Sequence, residues 1–271
     1  MITKWYVTGD THRDFSRFKY YDELDQQDEN LGVIILGDVG LNYMIEQWWP
    51  DYHVKNSLKK KYKFTIYCVK GNHEARPSEC KNMHLVWDDN VNGEVWVEDD
   101  FPNIKYFKEV GEYIINGYHV LVIGGAYSVD KWYRLQFDRK WFASEQLTQK
   151  EMDSVKELTL GKKYDFVFSH TCPMSWEPSD LFLRGIDQSR VDKTMEVWMD
   201  KFKDTFNWKI WLFGHYHADR LERPYVEQFY EEVEDLNSII ARWEKYDKTG
   251  ELDWWLPKAR DFYMGIESEV K

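Results

Sequence analysis

The sequence predicts an α/β fold with an added antiparallel portion, and three features of the chain support this prediction. Short runs rich in Val, Ile, Tyr and Trp recur along the chain, as expected for strands that are at least half buried. Helix-like segments lie between several of these runs, and such alternation is typical of layered α/β domains. A hairpin signal in the middle of the chain, Asn116-Gly117, indicates the antiparallel portion.

The predicted strands are short apolar runs bounded by turn-forming residues. Asn116-Gly117 joins two of them as a two-residue loop, since both residues tolerate the positive φ that such a hairpin requires. The predicted strands are Lys4–Thr8, Leu31–Leu36, Phe64–Val69, Glu94–Val97, Glu112–Asn116, Tyr118–Ile123, Tyr164–Ser169 and Trp208–Phe213.

The predicted helices alternate with these strands. Thr148 and Glu151 form a capping-box pattern that opens a helix towards Leu160, and Gly161 suits its end. Ser189 is expected to cap a helix that runs to about Phe206. The other helix-like segments are Asp14–Asp25, Asn42–Lys61 and Glu227–Tyr246.

The chain is predicted to form a single domain over residues 1–271, while its length alone allows either one large domain or two small ones. The chain is 43% hydrophobic and 31% charged, which excludes a disordered chain. A fold of this length can bury about three quarters of its unfolded surface, so it needs no disulfide or metal to fold. Residues from about 220 onwards form an extension to which the sequence assigns no role.

The charge balance limits the partners that this chain can bind. Lys and Arg number 36 and Asp and Glu number 48, so the net charge is −12. This excess of acid argues against long duplex nucleic acid and against an anionic membrane surface. The apolar runs are too short to span a membrane, and the first residues lack the layout of a signal peptide. With an odd number of cysteines, three, we expect a cytoplasmic protein without disulfides, whose oligomeric state stays open.

Five of the predicted strands are followed within three residues by Asp, Asn or His. In α/β sheets, the carboxyl ends of the strands are where ligand crevices form. The segments that follow these strands are Gly9-Asp10-Thr11-His12, Gly37-Asp38, Gly71-Asn72-His73-Glu74, His170 and Gly214-His215-Tyr216-His217.

These residue types are typical of a site for divalent metal ions, which imidazole, carboxylate and amide oxygen bind well. In an extended segment residues i and i+2 point the same way, so Asp10 with His12, and His215 with His217, can reach one cleft. A single Asp-x-His pair is usually a turn. Five of the eight histidines lie in these motifs, however, and the set as a whole predicts a metal site.

The ordered motifs from Gly9 to His217 resemble those of the calcineurin-like metallophosphoesterase superfamily. The loop Gly124–Asp130 is similar to the Gly-Gly loop of its small bacterial and phage-type members. The resemblance implies a four-layer α/β/β/α sandwich, in which two mixed sheets face each other and helices flank them. It also implies two metal ions, one held by Asp10, His12, Asp38 and His217 and the other by Asp38, Asn72, His170 and His215.

One departure from the pattern of the superfamily argues against a protein phosphatase. The protein Ser/Thr phosphatases of the superfamily that the chain resembles extend the Gly-Asp motif to Gly-Asp-x-x-Asp-Arg-Gly. Here the chain continues as Val39-Gly40-Leu41-Asn42, without Asp or Arg. The second acid that would partner the catalytic histidine is therefore missing at that position.

His73 is the predicted catalytic residue, because it directly follows the predicted ligand Asn72 and could protonate or steady the leaving oxygen. Glu74 could orient His73 or could be a solvated turn residue. Arg76 could contact a substrate phosphate or form a surface salt bridge. The other predicted substrate contacts are Tyr127 and a rim loop, Leu181–Val191.

The predicted function is metal-dependent hydrolysis of a small phosphorylated substrate, in particular a nucleotide phosphoester, by a hydroxide that bridges the two metal ions. Whether the enzyme is a phosphodiesterase or a phosphomonoesterase stays open. Mn²⁺ is the expected ion, with Fe, Zn, Ni and Mg as alternatives. The first alternative function is a nuclease of the same superfamily, which a basic groove around Lys59-Lys60-Lys61 would favour. The second is a non-catalytic metal-binding scaffold.

Overall fold

Two mixed β-sheets form the centre of the fold in the computed structural model, which describes residues 1–20, 24, 30–44, 48–182 and 184–251. The strands of the described residues are β1 (Lys4–Thr8), β2 (Leu31–Ile35), β3 (Thr65–Cys68), β4 (Met83–Asp88), β5 (Gly93–Glu98), β6 (Ile104–Phe107), β7 (Val110–Ile115), β8 (Tyr118–Ile123), β9 (Lys163–Ser169), β10 (Asn207–Phe213), β11 (Arg220–Arg223), β12 (Val226–Gln228) and β13 (Val233–Asp235).

The order of the strands brings the ends of several parallel strands together. The first sheet has the order β13-β1-β2-β3-β6-β5-β4, and the second has the order β11-β12-β10-β9-β8-β7. Strands β1, β2, β3 and β6 run parallel in the first sheet, as do β8, β9, β10 and β12 in the second. The remaining strands are antiparallel to their neighbours. The carboxyl ends of β1, β2 and β3 therefore lie at one edge, and so do those of β8, β9 and β10.

Helices cover the outer faces of both sheets, and apolar side chains fill the space between the sheets. Alternate residues of the strands, such as Val7 and Phe168, pack between the two sheets. Their neighbours pack outwards, against Leu58 on the first sheet and against Val155 and Met199 on the second. This order of layers confirms the predicted α/β/β/α sandwich of two mixed sheets. The α-helices of the described residues are α1 (Trp48–Lys61), α2 (Lys131–Gln136), α3 (Gln149–Thr159), α4 (Thr194–Phe202) and α5 (Leu236–Thr249).

None of the helices in the described part of the chain has the length and apolar character that a membrane crossing needs. The predicted strand boundaries agree with the structure to within two residues. The hairpin at Asn116-Gly117 is confirmed, with φ of 52° and 83°. The sequence did not reveal β4 or β6, because β4 leaves most of its side chains partly or fully exposed and β6 has only four residues.

The predicted helix starts have a mixed outcome. The capping box at Thr148 and Glu151 is confirmed. The backbone N–H of Glu151 donates to the Thr148 hydroxyl, and the backbone N–H of Thr148 donates to the Glu151 carboxylate. The start at Ser189 is wrong, because this residue lies in a 3₁₀ turn and α4 begins at Thr194. The helix predicted from Asn42 begins at Trp48 in the described residues, and 45–47 lie outside them. Of the helix predicted over 14–25, residues 16–20 form a 3₁₀ helix and most of the rest lies outside the described residues.

The segment after His217 extends both sheets before it becomes helical, so the helix predicted over 227–246 is wrong in its first half. Glu227 and Gln228 are buried in β12, which pairs with β10. The helix α5 begins only at Leu236, where the Asp235 side chain accepts hydrogen bonds from the first turn. Pairing with a neighbouring strand thus overrides the helical pattern of the local sequence.

Trp243 of α5 is the side chain that fixes this segment to the core. It is fully buried in the cluster between the sheets, and its indole N–H donates to Glu227 at 2.6 Å. We expect Trp243→Ala to lower the free energy of unfolding by about 3–5 kcal/mol, because it leaves a large cavity and removes the donor to one oxygen of the buried Glu227 carboxylate. Urea denaturation tests this, with the exposed Trp87→Ala as the matched control. Equal effects of the two changes would contradict the assigned role of Trp243.

Candidate metal centre

The first cluster of donor atoms joins the ends of β1 and β10. The Nε2 atom of His217 lies 3.3 Å from Oδ2 of Asp10 and 2.9 Å from Nε2 of His12. His12 Nε2 lies 3.8 Å from the same Asp10 oxygen and 3.9 Å from Oδ2 of Asp38. The four side chains that were predicted to share the first metal ion are therefore brought together.

The second cluster joins the ends of β2, β3 and β9. Nε2 of His170 lies 2.8 Å from Oδ1 of Asn72 and 3.5 Å from Oδ1 of Asp38. The ring of His215 packs edge-on against that of His170, with centroids 4.9 Å apart, and its backbone N–H donates to Oδ1 of Asp10. Asp38 thus has one carboxylate oxygen near each cluster, and it is the residue that was predicted to bridge the two ions.

The backbone at these positions is held in conformations that cost free energy. Four of the seven predicted ligands have a positive φ, namely 44° at His12, 47° at Asp38, 70° at His215 and 53° at His217. A Cβ atom on Gly37 would lie 2.0 Å from the His170 ring, so only glycine allows this approach. Strain of this kind is typical of functional sites, where the surrounding structure fixes the side chains.

Charge in the centre favours ionised carboxylates. Burial alone would raise the pKa of Asp38, but the imidazoles of His170 and His73 outweigh it and hold this pKa well below its usual range. Burial likewise opposes a charged His170, yet the carboxylates of Asp38 and Asp10 raise its pKa to about 9. Burial and the charge of His170 lower the pKa of His215 to about 3. The centre therefore holds two carboxylates that need cationic partners.

The donor atoms fit a bound cation. Nδ1 of His170 lies 2.8 Å from the carbonyl oxygen of Leu36, and if it donates its proton there, the Nε2 lone pair faces the amide oxygen of Asn72. The amide nitrogen of Asn72 donates to Ser128, which fixes that oxygen towards His170. Two acceptors at 2.8 Å need a proton or a metal ion between them. Oδ2 of Asp10 is also buried and receives no hydrogen bond from the described residues.

His73 lies beside the centre and lines the adjoining cavity. Among the described residues, no hydrogen bond joins the side chains of Glu74 and His73. Nε2 of His73 is 3.9 Å from Oδ2 of Asp38. The Glu74 carboxylate is fully buried and accepts from the backbone N–H of Gly71 and from the hydroxyl of Tyr106, so it is neither a solvated turn residue nor a partner of His73. Burial raises the pKa of Glu74 to about 7. Its contacts instead brace the loop that carries Asn72 and His73.

A cavity of about 450 Å³ opens beside the metal centre, which is within the usual size range of small-molecule sites. Tyr127 lines this cavity, as do five residues of the predicted rim loop. Tyr216, Lys193 and Glu196 also line it, and nothing in the sequence pointed to them except that Tyr216 lies between two predicted ligands. The residues of the rim loop that line the cavity are Leu181, Phe182, Ile186, Gln188 and Val191.

Arg76 lies away from this cavity in the described structure. Its guanidinium forms a bidentate ion pair with Glu151, and it donates to the carbonyl oxygens of Ser144 and Gln146. These contacts match the salt-bridge interpretation of Arg76 rather than a contact with substrate.

Comparisons with known proteins found similar solved structures and one matching family model. The crystal structure of TT1561 of Thermus thermophilus is 14% identical, covers 87% of this chain and 98% of its own, and has a TM-score of 0.44. The crystal structure of the phosphopantetheinyl hydrolase PptH from Mycobacterium tuberculosis is 10% identical, covers 92% of this chain and 93% of its own, and has a TM-score of 0.40. No curated protein matches the chain. The family model described as calcineurin-like phosphoesterase matches residues 3–219, and the chain therefore belongs to that family.

Proposed function

We propose that this protein is a metal-dependent phosphoesterase that hydrolyses a small phosphorylated substrate, in particular a nucleotide phosphoester. One observation carries the proposal. Acidic, amide and imidazole side chains from both sheets converge beside a cavity, in a family whose members are phosphoesterases. Their donor atoms are nitrogen and oxygen without thiolate, which suits Mn²⁺ among the divalent ions.

The proposed roles follow from the positions of the side chains. Asp10, His12, Asp38 and His217 would hold one ion, and the second would be held by Asp38 together with Asn72, His170 and His215. Metal ions in a site of this kind polarise a phosphoryl group and activate water as a nucleophile at neutral pH. His73 lies close enough to Asp38 to place a proton on the leaving oxygen of a phosphoryl group bound there. Tyr127 would contact the substrate, since it lines the same cavity.

The described structure offers no specific support for the nuclease alternative. Lys59, Lys60 and Lys61 end α1, and none of them lines the cavity beside the centre. Lys59 donates to the carbonyl oxygen of Asp100. The scaffold alternative differs from the proposal in one measurable respect, which is turnover.

Metal content and turnover test the proposed function together. Protein purified without chelator is expected to carry two equivalents of divalent metal, measured by inductively coupled plasma mass spectrometry. Chelation should abolish hydrolysis of p-nitrophenyl phosphate or bis-p-nitrophenyl phosphate, and added Mn²⁺ should restore it. Cyclic nucleotides and dinucleotides complete the panel. Metal binding without turnover on any substrate would favour the scaffold, and a single zinc ion held by cysteines would refute the proposed site.

A further inference from the structure

Apart from the predicted metal ligands, the residues that line the cavity are largely apolar and aromatic. We call this part of the cavity the substituent pocket, since a group attached to the phosphoryl centre would occupy it. Its walls include the rings of Phe182 and Tyr216, which stack at 6.3 Å with an angle of 22° between their planes. Tyr127 contributes a third ring, and Val129 and Ile186 contribute aliphatic side chains. Aromatic walls of this kind suit a flat ring, which packs against them with little loss of conformational freedom.

The charges in the substituent pocket argue against a second anionic group of the substrate. Among the described residues that line the cavity, Lys193 is the single Lys or Arg. Its Nζ atom lies 2.6 Å from the Glu177 carboxylate, so an acidic side chain of the pocket already neutralises it. The same ammonium lies 4.7 Å from the centre of the Phe182 ring. A phosphate or carboxylate placed here would meet acidic side chains without a free cation to balance it.

Glu196 gives the substituent pocket a hydrogen-bond acceptor that lacks a donor. This residue lies in the first turn of α4 and is 3% exposed. One carboxylate oxygen accepts from the hydroxyl of Thr171 at 2.8 Å, whereas the other is buried and receives no hydrogen bond from the described residues. The side-chain oxygen of Gln188 is likewise buried and receives no hydrogen bond from the described residues. A buried acceptor without a donor is costly, and a ligand that supplies an N–H group would remove that cost.

We propose, on the basis of the phosphoesterase function above, that the substituent pocket binds an uncharged nucleobase whose amino group donates to Glu196. The aromatic walls would hold the ring, and the carboxylate would select bases that carry an exocyclic N–H donor. The absence of a free cation in the described pocket favours a nucleotide with one phosphoryl group over a nucleoside diphosphate or triphosphate.

The experiment compares p-nitrophenyl esters of nucleoside 5′-monophosphates, which share one leaving group and differ only in the base. Each of adenosine, guanosine and cytidine is paired with its N,N-dimethylated analogue, which keeps the ring and loses the amino donor. For at least one pair we expect kcat/KM to be tenfold or more lower for the dimethylated ester, as one lost hydrogen bond of about 1.4 kcal/mol implies. If the esters are turned over and the two members of every pair differ by less than twofold in kcat/KM, the inference is overturned.

Variants separate hydrogen bonding from steric exclusion by the added methyl groups. Glu196→Gln is expected to reduce the preference to about threefold or less, because an amide N–H₂ replaces one acceptor oxygen. Glu227→Gln is the matched control, since Glu227 is an equally buried glutamate outside the cavity, and it should keep the preference. Thermal melting checks that both variants fold, and Glu196→Ala replaces Glu196→Gln if that variant does not. A preference that survives loss of the carboxylate would refute the role of Glu196. No turnover on any ester, including bis-p-nitrophenyl phosphate, would instead contradict the proposed function itself.

Discussion

Replacing Asp38 with asparagine is expected to abolish hydrolysis and to lower metal occupancy at both positions. Asp38 lies within 3.5 Å of His170 and 3.9 Å of His12, so its two oxygen atoms reach both donor clusters. Loss of its charge removes the shared anion that balances two divalent ions. We expect metal affinity to fall by more than the roughly 10–100-fold that is typical for partners outside the coordination sphere. Metal content and turnover with added Mn²⁺ are the two measurements.

The fold should tolerate this substitution better than the site does. One oxygen of Asp38 accepts from the backbone N–H of His73 at 2.8 Å, and an asparagine oxygen can accept the same hydrogen bond. Asp88→Asn is a suitable control, because Asp88 is also buried but binds Tyr67 and Lys105. This control should retain both metal ions. Near-normal turnover of Asp38→Asn would show that the bridging assignment is wrong.

Replacing His73 with alanine is expected to slow turnover without emptying the metal centre. General acid–base groups typically contribute about 10²–10⁴-fold to rate. A p-nitrophenolate leaving group needs little protonation, so its ester should lose less activity than an alkyl or ribose ester. The contrast distinguishes a proton donor from a metal ligand, whose loss would harm both substrates equally. The test is kcat for both esters, with the metal content of each preparation measured in parallel.

The exposed His84, which pairs with Asp99 at 3.5 Å, provides the control substitution His84→Ala. It should leave both rates and the metal content unchanged. Equal losses on both esters together with lost metal would reassign His73 as a ligand or a structural residue. Equal losses with metal retained would indicate that His73 stabilises charge on the phosphoryl group instead.

Local sequence patterns are enough to predict the layered α/β class, most strands and the Asp and His side chains that the structure brings together at the strand ends. Strands of a buried sheet have a recognisable period and composition, and the residues that follow them reach one edge whatever the details of packing. The position of the centre is therefore predictable from the residues that follow the strands, which are Asp10, Asp38, Asn72, His170 and His215. The hairpin at 116–117 is also predictable from the local sequence, because its turn type depends on the two loop residues.

The side chains that reach the centre from distant parts of the chain are selected by tertiary packing. Glu74 looked like a possible solvated turn residue, yet the hydroxyl of Tyr106, which is 32 positions away, donates a buried hydrogen bond to its carboxylate. Arg76 lies two residues after the end of the Gly-Asn-His-Glu motif, but it pairs with Glu151 and does not line the cavity. Glu196 belongs to an ordinary helical pattern, and only the packing of α4 places it in the substituent pocket. Such pairings join residues far apart in sequence, and neither composition nor local periodicity contains the information that selects them.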